Sequence, residues 1–85
     1  MSEVKKIHLY MTSGCHLCGD ALELIKLSKY FSAISITQID IAMSDELIRN
    51  MGEKIPVIEC ADTQKKLFWP FSLLEFDQFF HTICL

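Results

Sequence analysis

The first apolar residues of the chain occur at every second position. Ile7, Leu9 and Met11 alternate with uncharged residues, and a run of this kind is typical of a largely buried strand. The alternation predicts a first strand from about Val4 to Met11.

After Gly14 the apolar residues follow a helical spacing instead. They recur at i, i+3, i+4 and i+7, which places them on one face of a helix. This apolar set is Cys18, Ala21, Leu22 and Ile25. The charged residues lie opposite, with acids early and lysines late, as the helix dipole favours. The pattern predicts a helix from about Cys15 or His16 to Phe31.

The middle of the chain carries three shorter patterns. Isoleucines at positions 34, 36, 39 and 41 change phase midway, which predicts a second strand with an irregularity near Thr37-Gln38. Ser44 precedes two acids and Gly52 follows the next apolar residues, which predicts a short helix between them. A third strand is predicted from Pro56 to Cys60.

The last third of the chain predicts a hairpin and a helix. Polar residues 61–64 separate the third strand from a fourth, Lys66 to Trp69, which should be antiparallel to it. Ser72 and Glu75 have the spacing of a capping box, which opens a final helix. The apolar stripe of that helix is Leu73, Phe76, Phe80 and Ile83. The order of elements is therefore β-α-β-α-β-β-α.

Composition and charge narrow the function classes. The 85 residues, 51% of them hydrophobic, suit a single domain over residues 1–85. The net charge is −3 and the eight Lys and Arg residues form no basic stripe, which argues against nucleic acid as a partner. The sequence has no apolar leader and no run of roughly 18–20 apolar residues, so we expect no membrane span. We expect a cytoplasmic monomer.

The stretch Cys15-His16-Leu17-Cys18 carries the strongest chemical signal. A helix N-terminus supplies unpaired backbone N–H groups and a partial positive charge, which favour a thiolate over a thiol. Cys15 would therefore be the nucleophile of a redox pair. Cys18 lies one turn further into the helix, from where it would attack a mixed disulfide formed on Cys15.

Other uses of two nearby cysteines remain open. Both could pack as small apolar residues at a helix start. A zinc site needs four ligands, and the sequence has no second C-x-x-C or H-x3-5-H pair, so we expect no bound metal. An iron–sulfur cluster shared by two copies would need thiols from outside the chain. Cys60 and Cys84 are expected to pack as apolar residues outside the redox pair.

Two further features bear on the cysteines. His16 lies between them, where an imidazolium would stabilise the Cys15 thiolate; a solvent-facing side chain without a role is the other interpretation. In Ile55-Pro56-Val57 a proline opens a strand, as suits a residue that cannot donate to a sheet ladder. A cis bond there would set the backbone against the dithiol with unused N–H and C=O groups, although sequence alone does not favour cis.

The order of elements, the C-x-x-C turn and Ile55-Pro56-Val57 together resemble a glutaredoxin, and the proline matches the cis-proline position of that family. The resemblance spans nearly the whole chain and, more narrowly, is to small glutaredoxin-like proteins of bacteria. It implies a thioredoxin fold of the α/β class, with a four-stranded mixed sheet flanked by three helices. It also implies thiol–disulfide oxidoreductase activity through Cys15 and Cys18, with substrate contacts at Ile55, Pro56 and Val57.

The chain departs from the glutaredoxin pattern where that family holds glutathione. Glutaredoxins usually carry a lysine three residues before the first cysteine and a Gly-Gly with an acidic pair after the fourth strand, whereas this chain has Thr12 and Trp69-Pro70-Phe71-Ser72. Lys54 would restore one cationic contact. We expect no bound cofactor and slow exchange with glutathione, with Trp69 and Phe71 contacting the substrate.

The implied partners are a disulfide-containing protein or small molecule and a reductant, either glutathione or a system of the thioredoxin-reductase type. A non-catalytic hypothesis stays open beside this one. In it the chain is an adaptor that binds a partner in the groove between Cys15 and Pro56 while its thiols stay idle.

Overall fold

The structure, a computed structural model, describes residues 4–84 and the side chains of residues 4–83. Its strands and helices follow the predicted order. The elements are β1 (Lys5–Met11), α1 (His16–Lys26), β2 (Ile34–Asp40), α2 (Asp45–Met51), β3 (Val57–Cys60), β4 (Lys66–Phe68) and α3 (Leu73–Phe79). Short 3-10 turns lie on either side of β2, at Phe31–Ala33 and Ile41–Met43, and a π-helical turn, Phe80–Cys84, extends α3.

The strands form one mixed sheet in the order β2-β1-β3-β4. β1 and β2 are parallel, with Lys5 opposite Ile34 and Met11 opposite Asp40. β3 is antiparallel to β1, and β4 is antiparallel to β3, as the hairpin spacing predicted. Because two parallel neighbours cannot be joined by a tight turn, α1 crosses over one face of the sheet to connect them.

Helices cover both faces of the sheet. On one face, β1 and β3 pack with α1 and α3 in the main core cluster. Its buried members are Ile7, Leu9, Ala21, Ile25, Ile58, Cys60, Phe71, Phe76 and Phe80. On the other face Tyr10 and Val57 pack with Ile41 and Met51 near α2. Since successive strand residues point to opposite faces, these clusters flank the sheet and produce the predicted α/β arrangement.

β2 is regular where the sequence predicted an irregularity. Its residues pair with β1 in unbroken register, so the expected bulge near Thr37-Gln38 is wrong. Ile34 and Ile36 pack against the main cluster, whereas Ile39 packs against the smaller cluster on the other face. The phase change therefore reflects a strand with apolar layers on both faces. Ile41 lies beyond it in a 3-10 turn.

α1 ends at Lys26, well before the predicted end at Phe31. The N–H of Ser28 bonds to a carbonyl group three residues earlier at 3.0 Å, which tightens the last turn. Ser28 Oγ then accepts from the Tyr30 N–H at 3.1 Å and donates to Asp77 of α3. Because such side-chain bonds compete with the helix ladder, a contact with a distant helix stops α1.

The predicted helix caps are confirmed. Ser44 Oγ accepts from the Leu47 N–H at 3.3 Å, and Gly52 follows the last residue of α2. At α3, Ser72 Oγ accepts from the Glu75 N–H at 3.0 Å, while the Glu75 carboxylate accepts from the Ser72 N–H at 2.9 Å. This is the capping box. Local sequence therefore sets where both helices begin.

The β3–β4 hairpin contributes one cysteine to the core. Cys60 is 1% exposed and packs in the main cluster, which confirms its expected apolar packing. The side chain of Cys84 lies outside the described residues.

Within the part of the chain that the structure describes, no helix has the length and apolar character needed to cross a membrane.

Candidate active site

The turn between β1 and α1 places Cys15 at the start of the helix. Gly14 has a φ of +78°, a left-handed conformation that residues with a side chain rarely adopt. The Cys15 N–H donates to the Thr12 carbonyl group at 3.2 Å. Cys15 itself has the extended backbone of an N-cap, with φ −81° and ψ 101°. The strand thus ends and the helix begins within residues 12–15.

A disulfide joins Cys15 and Cys18, whose Cα atoms lie 5.3 Å apart. The backbone N–H of Cys18 donates to Cys15 Sγ at 3.1 Å, so this sulfur occupies the capping position that an oxygen usually takes. After reduction, the same N–H and the positive end of the helix dipole would stabilise a thiolate on Cys15. Cys15 is half-buried and Cys18 is 4% exposed, so Cys15 is the more accessible of the two residues.

His16 projects into solvent from the first turn of α1. Its side chain is 89% exposed, and its Nε2 lies 3.6 Å from Asp20 Oδ2. An exposed pair of this kind contributes little to stability. The structure therefore gives His16 a partner in Asp20, and its effect on the Cys15 thiolate stays a prediction.

A groove beside the cysteines brings together residues that are distant in the sequence. Its volume is about 590 Å³. It is lined by Leu17, Glu53, Lys54, Ile55, Phe68, Trp69 and Pro70. Leu17 belongs to the C-x-x-C motif, whereas Lys54, Ile55 and Trp69 are contact residues predicted from the sequence. Leu17 is 47% and Phe68 is 46% exposed, so the groove offers apolar surface to a partner.

The charges at this groove are of both signs. Lys54 Nζ lies 5.8 Å from the centroid of the Phe68 ring, which is within the range of a cation–π contact. Glu53, the preceding residue, lines the same groove. The negative charge of Glu53 therefore partly offsets the positive charge of Lys54 at the groove.

Fewer backbone hydrogen-bonding groups are available at Ile55 and Pro56 than the sequence suggested. Ile55–Pro56 is a cis peptide bond, as is Trp69–Pro70. The Ile55 N–H donates to the Met51 carbonyl group at 3.1 Å, and the Pro56 carbonyl group accepts from the Trp69 N–H at 3.2 Å. The expectation that the Ile55 N–H and the Pro56 carbonyl group are unused is therefore wrong. The end of α2 accepts the first, and the residue after β4 donates to the second.

Three predicted contact residues lie in the interior instead. Pro56 is fully buried, Val57 is 0% exposed and Phe71 is 5% exposed. Val57 packs with Tyr10 in the smaller cluster. The Phe71 ring lies 5.0 Å from the Trp69 ring, centroid to centroid, in a T-shaped arrangement. The side chains of Val57 and Phe71 therefore support the groove from inside the core, and contact of these residues with substrate stays a prediction.

A family model described as "Glutaredoxin-like domain (DUF836)" matches residues 6–80 of the chain. The match includes both cysteines and every residue that lines the groove. This chain belongs to that glutaredoxin-like family. Among curated proteins, none matches it significantly.

Two solved structures share the fold of this glutaredoxin-like protein. Protein Ne2328 from Nitrosomonas europaea, solved by solution NMR, is 21% identical over 93% of this chain and 94% of that one, with a TM-score of 0.77. The X-ray structure of target protein XcR50 from X. campestris is 22% identical over 88% of this chain and 95% of that one, with a TM-score of 0.73. The predicted fold, a thioredoxin-like sheet with three helices, is confirmed.

The chemistry that this glutaredoxin-like site offers is that of two sulfur atoms in a polar turn. Among the described side chains, those of residues 4–83, no three or more of His, Cys, Asp and Glu are grouped so that they could hold a metal ion. Cys15 and Cys18 therefore lack further ligands of these types within the described chain.

A polar cluster in the sheet was not predicted from the sequence. Glu59 is 8% exposed and lies in β3 among apolar residues. Tyr10 OH donates to Glu59 Oε1 at 2.7 Å, and His8 Nδ1 lies 3.2 Å from the same oxygen. Lys66 Nζ lies 3.3 Å from Glu59 Oε2. The signal in the sequence was a single acid in an otherwise apolar strand, because a buried carboxylate requires donors.

These contacts shift two pKa values. Burial alone would raise the pKa of Glu59, but the hydrogen bonds from its three partners and the charge of Lys66 outweigh burial, so this pKa lies below its ordinary value of 4.5. Burial and the hydrogen bond to Glu59 raise the pKa of Tyr10 to about 12. At neutral pH the carboxylate is charged, the phenol is protonated, and the cluster ties β1, β3 and β4 together.

Glu59→Gln is expected to lower the free energy of unfolding by about 1–3 kcal/mol at pH 7, since buried donors lose a charged acceptor. A carboxyl with a depressed pKa stabilises the fold above its unfolded pKa, here 4.5, and this contribution disappears as pH falls through the lower folded pKa. The difference in the free energy of unfolding between the wild-type protein and Glu59→Gln should therefore become smaller at acidic pH. Denaturant unfolding at pH 7 and at several values below 4.5 measures it.

Glu53→Gln is the matched control for this prediction, since Glu53 is exposed. We expect it to change the free energy of unfolding by less than about 0.5 kcal/mol. Equal losses in the two variants at pH 7 would show that the Glu59 cluster does not stabilise the fold.

Proposed function

We propose that this protein is a thiol–disulfide oxidoreductase that reduces disulfides through Cys15 and Cys18. The observation that carries the proposal is the position of Cys15 Sγ, which accepts the Cys18 N–H at 3.1 Å at the N-terminus of α1. This position favours a thiolate on the more accessible of the two sulfurs. The family match adds support, since it covers the whole site.

The proposed reaction has two exchange steps. The Cys15 thiolate attacks one sulfur of the substrate disulfide, forms a mixed disulfide with it and releases the other substrate sulfur as a thiolate. Cys18, deprotonated, then attacks Cys15 Sγ, which forms the Cys15–Cys18 disulfide and releases the second substrate thiolate. Two electrons pass from the protein to the substrate, and an external reductant must return them. No bound cofactor takes part.

The substrate class that suits the groove is a protein or peptide disulfide. Leu17 and Phe68 expose apolar surface beside the C-x-x-C motif, and Trp69 completes the wall. Aromatic and aliphatic side chains of this kind bind apolar side chains of a partner rather than a highly charged small molecule. As the electron donor we propose a cytoplasmic thiol system such as a reductase of the thioredoxin type, with glutathione only as a slow reductant.

Insulin reduction in the presence of dithiothreitol tests this function. We expect the protein to accelerate precipitation of the insulin B chain in a manner that depends on both cysteines. The competing hypothesis is an adaptor that uses the same groove without turnover. An adaptor would leave the precipitation rate at the level seen with dithiothreitol alone.

Leu17→Ser is expected to raise the KM for a protein disulfide about tenfold. Removing an exposed leucine from a contact surface forfeits on the order of 1.4 kcal/mol of apolar burial in the complex, which corresponds to a factor of ten. The chemical step should change much less, because the cysteines and the helix N-terminus are retained. Initial rates over a range of insulin concentrations separate KM from kcat.

Leu27→Ser is the control for the Leu17 substitution. Leu27 lies at the other end of the same helix, is 71% exposed and does not line the groove. Its replacement removes the same apolar surface away from the cysteines, so KM should stay within about twofold. If both variants raise KM alike, the groove is not the substrate surface.

A further inference from the structure

A second opening reaches the two cysteines from the other side of β1. This cavity has a volume of about 220 Å³, and Cys15, Cys18 and Gly19 are part of its wall. Gln38 of β2 also lines it, whereas the substrate groove is lined by residues near β3 and β4. Because β1 lies between β2 and β3 in the sheet, the two openings flank the disulfide on opposite sides.

The cavity is small, mostly apolar and without charge. Among the described residues, none that lines it is Lys, Arg, Asp, Glu or His; Leu9, Met11 and Leu22 supply apolar surface, and Gln38 supplies an amide. An apolar cavity of about 150 Å³ holds a benzene molecule, so this one admits a molecule of up to roughly ten non-hydrogen atoms. A tripeptide is too large for it. The chemistry of the wall favours a small neutral molecule with one polar group.

Gly19 is part of the wall of this cavity on α1. Glycine is among the least favourable residues within a helix. A Cβ at Gly19 would meet no atom within 4 Å, and Gly14, not Gly19, is the glycine with a positive φ. Neither backbone conformation nor packing therefore requires glycine here. Its missing side chain leaves space in the wall of the cavity beside Cys15 and Cys18.

We propose that this cavity binds a small uncharged thiol, which reduces the Cys15–Cys18 disulfide from the β2 side. The inference rests on the disulfide chemistry proposed above. The thiolate of the bound molecule attacks Cys15 Sγ, forms a mixed disulfide there and releases the Cys18 thiolate. A second molecule of the thiol attacks the small-molecule sulfur and releases the Cys15 thiolate. Two thiols are thus oxidised to one disulfide, and the protein gains two electrons and two protons.

Two openings allow the two half-reactions to use different surfaces. The protein substrate binds at the groove beside Leu17 and Trp69, and the small reductant enters beside Gly19 and Gln38. Filling one opening should therefore change one half-reaction and not the other.

The test compares the rate constants for reduction of the oxidised protein by 2-mercaptoethanol and by glutathione. The first fits the cavity and the second does not. Gly19→Leu projects a side chain into the cavity, and Gly19→Ala is the matched control that adds one carbon. We expect the ratio of the two rate constants to fall at least tenfold in Gly19→Leu and to stay within about twofold in Gly19→Ala. An unchanged ratio in Gly19→Leu overturns the proposal.

Gln38→Phe tests the same cavity from the opposite wall. Gln38 is exposed on β2, where an aromatic residue is well tolerated in a strand, so this variant keeps the test informative if Gly19→Leu does not fold. It should lower the ratio in the same direction. An unchanged ratio in folded Gln38→Phe likewise contradicts the proposal.

Insulin reduction by the dithiol form of the same wild-type sample separates this inference from the proposed function. If the ratio falls as expected but the dithiol form does not reduce insulin, the cavity site stands and the proposed function is wrong. If insulin is reduced but the ratio does not change in either variant, the function stands and the cavity is not the entry for the reductant.

Discussion

Replacing Cys15 with serine is expected to abolish disulfide reduction, with a loss of at least about a thousandfold in kcat/KM, the scale seen when a catalytic nucleophile is removed. Serine cannot form the mixed disulfide, and the thiol of Cys18 is 4% exposed. Cys18 also lacks the N-cap position that favours a thiolate on Cys15. The remaining cysteine should therefore not replace the nucleophile. Insulin reduction with dithiothreitol measures the loss.

Cys18→Ser should behave differently, because it removes only the second step. The Cys15 thiolate still attacks the substrate, and the mixed disulfide accumulates because no sulfur is present one turn away to resolve it. Mass spectrometry of the variant incubated with insulin should find one insulin chain linked to Cys15. The same variant in a cell lysate should retain natural substrates by the same bond.

Cys60→Ala controls for the removal of a cysteine as such. Cys60 lies in the core of β3, away from the helix N-terminus, so its loss should lower stability and leave the exchange chemistry in place. Two results would contradict the assignment. One is a Cys15→Ser variant that keeps more than about a tenth of the activity, and the other is a Cys18→Ser variant that traps insulin on a different cysteine.

The elements that sequence predicts best are those fixed by neighbours in the chain. The caps at Ser44 and Ser72 join residues three positions apart, so the start of α2 and of α3 follows from local chemistry. The same holds for Cys15, which the turn at Gly14 places at the helix N-terminus. The position of Cys15 at the N-terminus of α1 was therefore predicted correctly from the sequence.

The features that sequence did not predict depend on distant contacts. α1 stops where Ser28 bonds to Asp77, a residue 49 positions away. The sequence predicted Phe71 to be an exposed aromatic residue beside Trp69. Its side chain is instead buried in the core, because α3 packs against it. The Glu59 cluster likewise joins three strands. The partners in these contacts lie far apart in the sequence, so only the tertiary structure shows which residues meet.

Glutathione is expected to be a poor substrate for this protein, because neither the backbone donors nor the charges at the groove suit it. The Ile55 N–H already donates to the Met51 carbonyl group. Pro56 and Pro70 have no N–H to offer. At the Ile55–Pro56 and Trp69–Pro70 bonds, the backbone donors that would hold a peptide carboxylate or amide are therefore occupied or missing.

The charges at the groove weaken recognition of glutathione further. Within the described chain, Lys54 is the one cation that lines the groove, and its neighbour Glu53 repels a carboxylate. Thr12, which stands where glutaredoxins usually carry a lysine, lines the cavity on the β2 side and brings no charge. Each charge-assisted hydrogen bond to a carboxylate is worth roughly 1.5–3 kcal/mol. Losing two of them costs about 3 kcal/mol or more, which is on the order of a hundredfold in affinity.

We therefore expect turnover in the glutathione-coupled hydroxyethyl disulfide assay to be about a hundredfold below that of a typical dithiol glutaredoxin measured alongside. The same preparation should reduce insulin with dithiothreitol, which shows that the dithiol is active. Glu53→Gln should raise the glutathione rate roughly 1.4- to fivefold, because removing one exposed like charge is worth about 0.2–1 kcal/mol. A wild-type rate equal to that of the reference glutaredoxin would mean that the groove binds glutathione through contacts other than backbone N–H groups and lysine side chains, and Glu53→Gln would then have little effect.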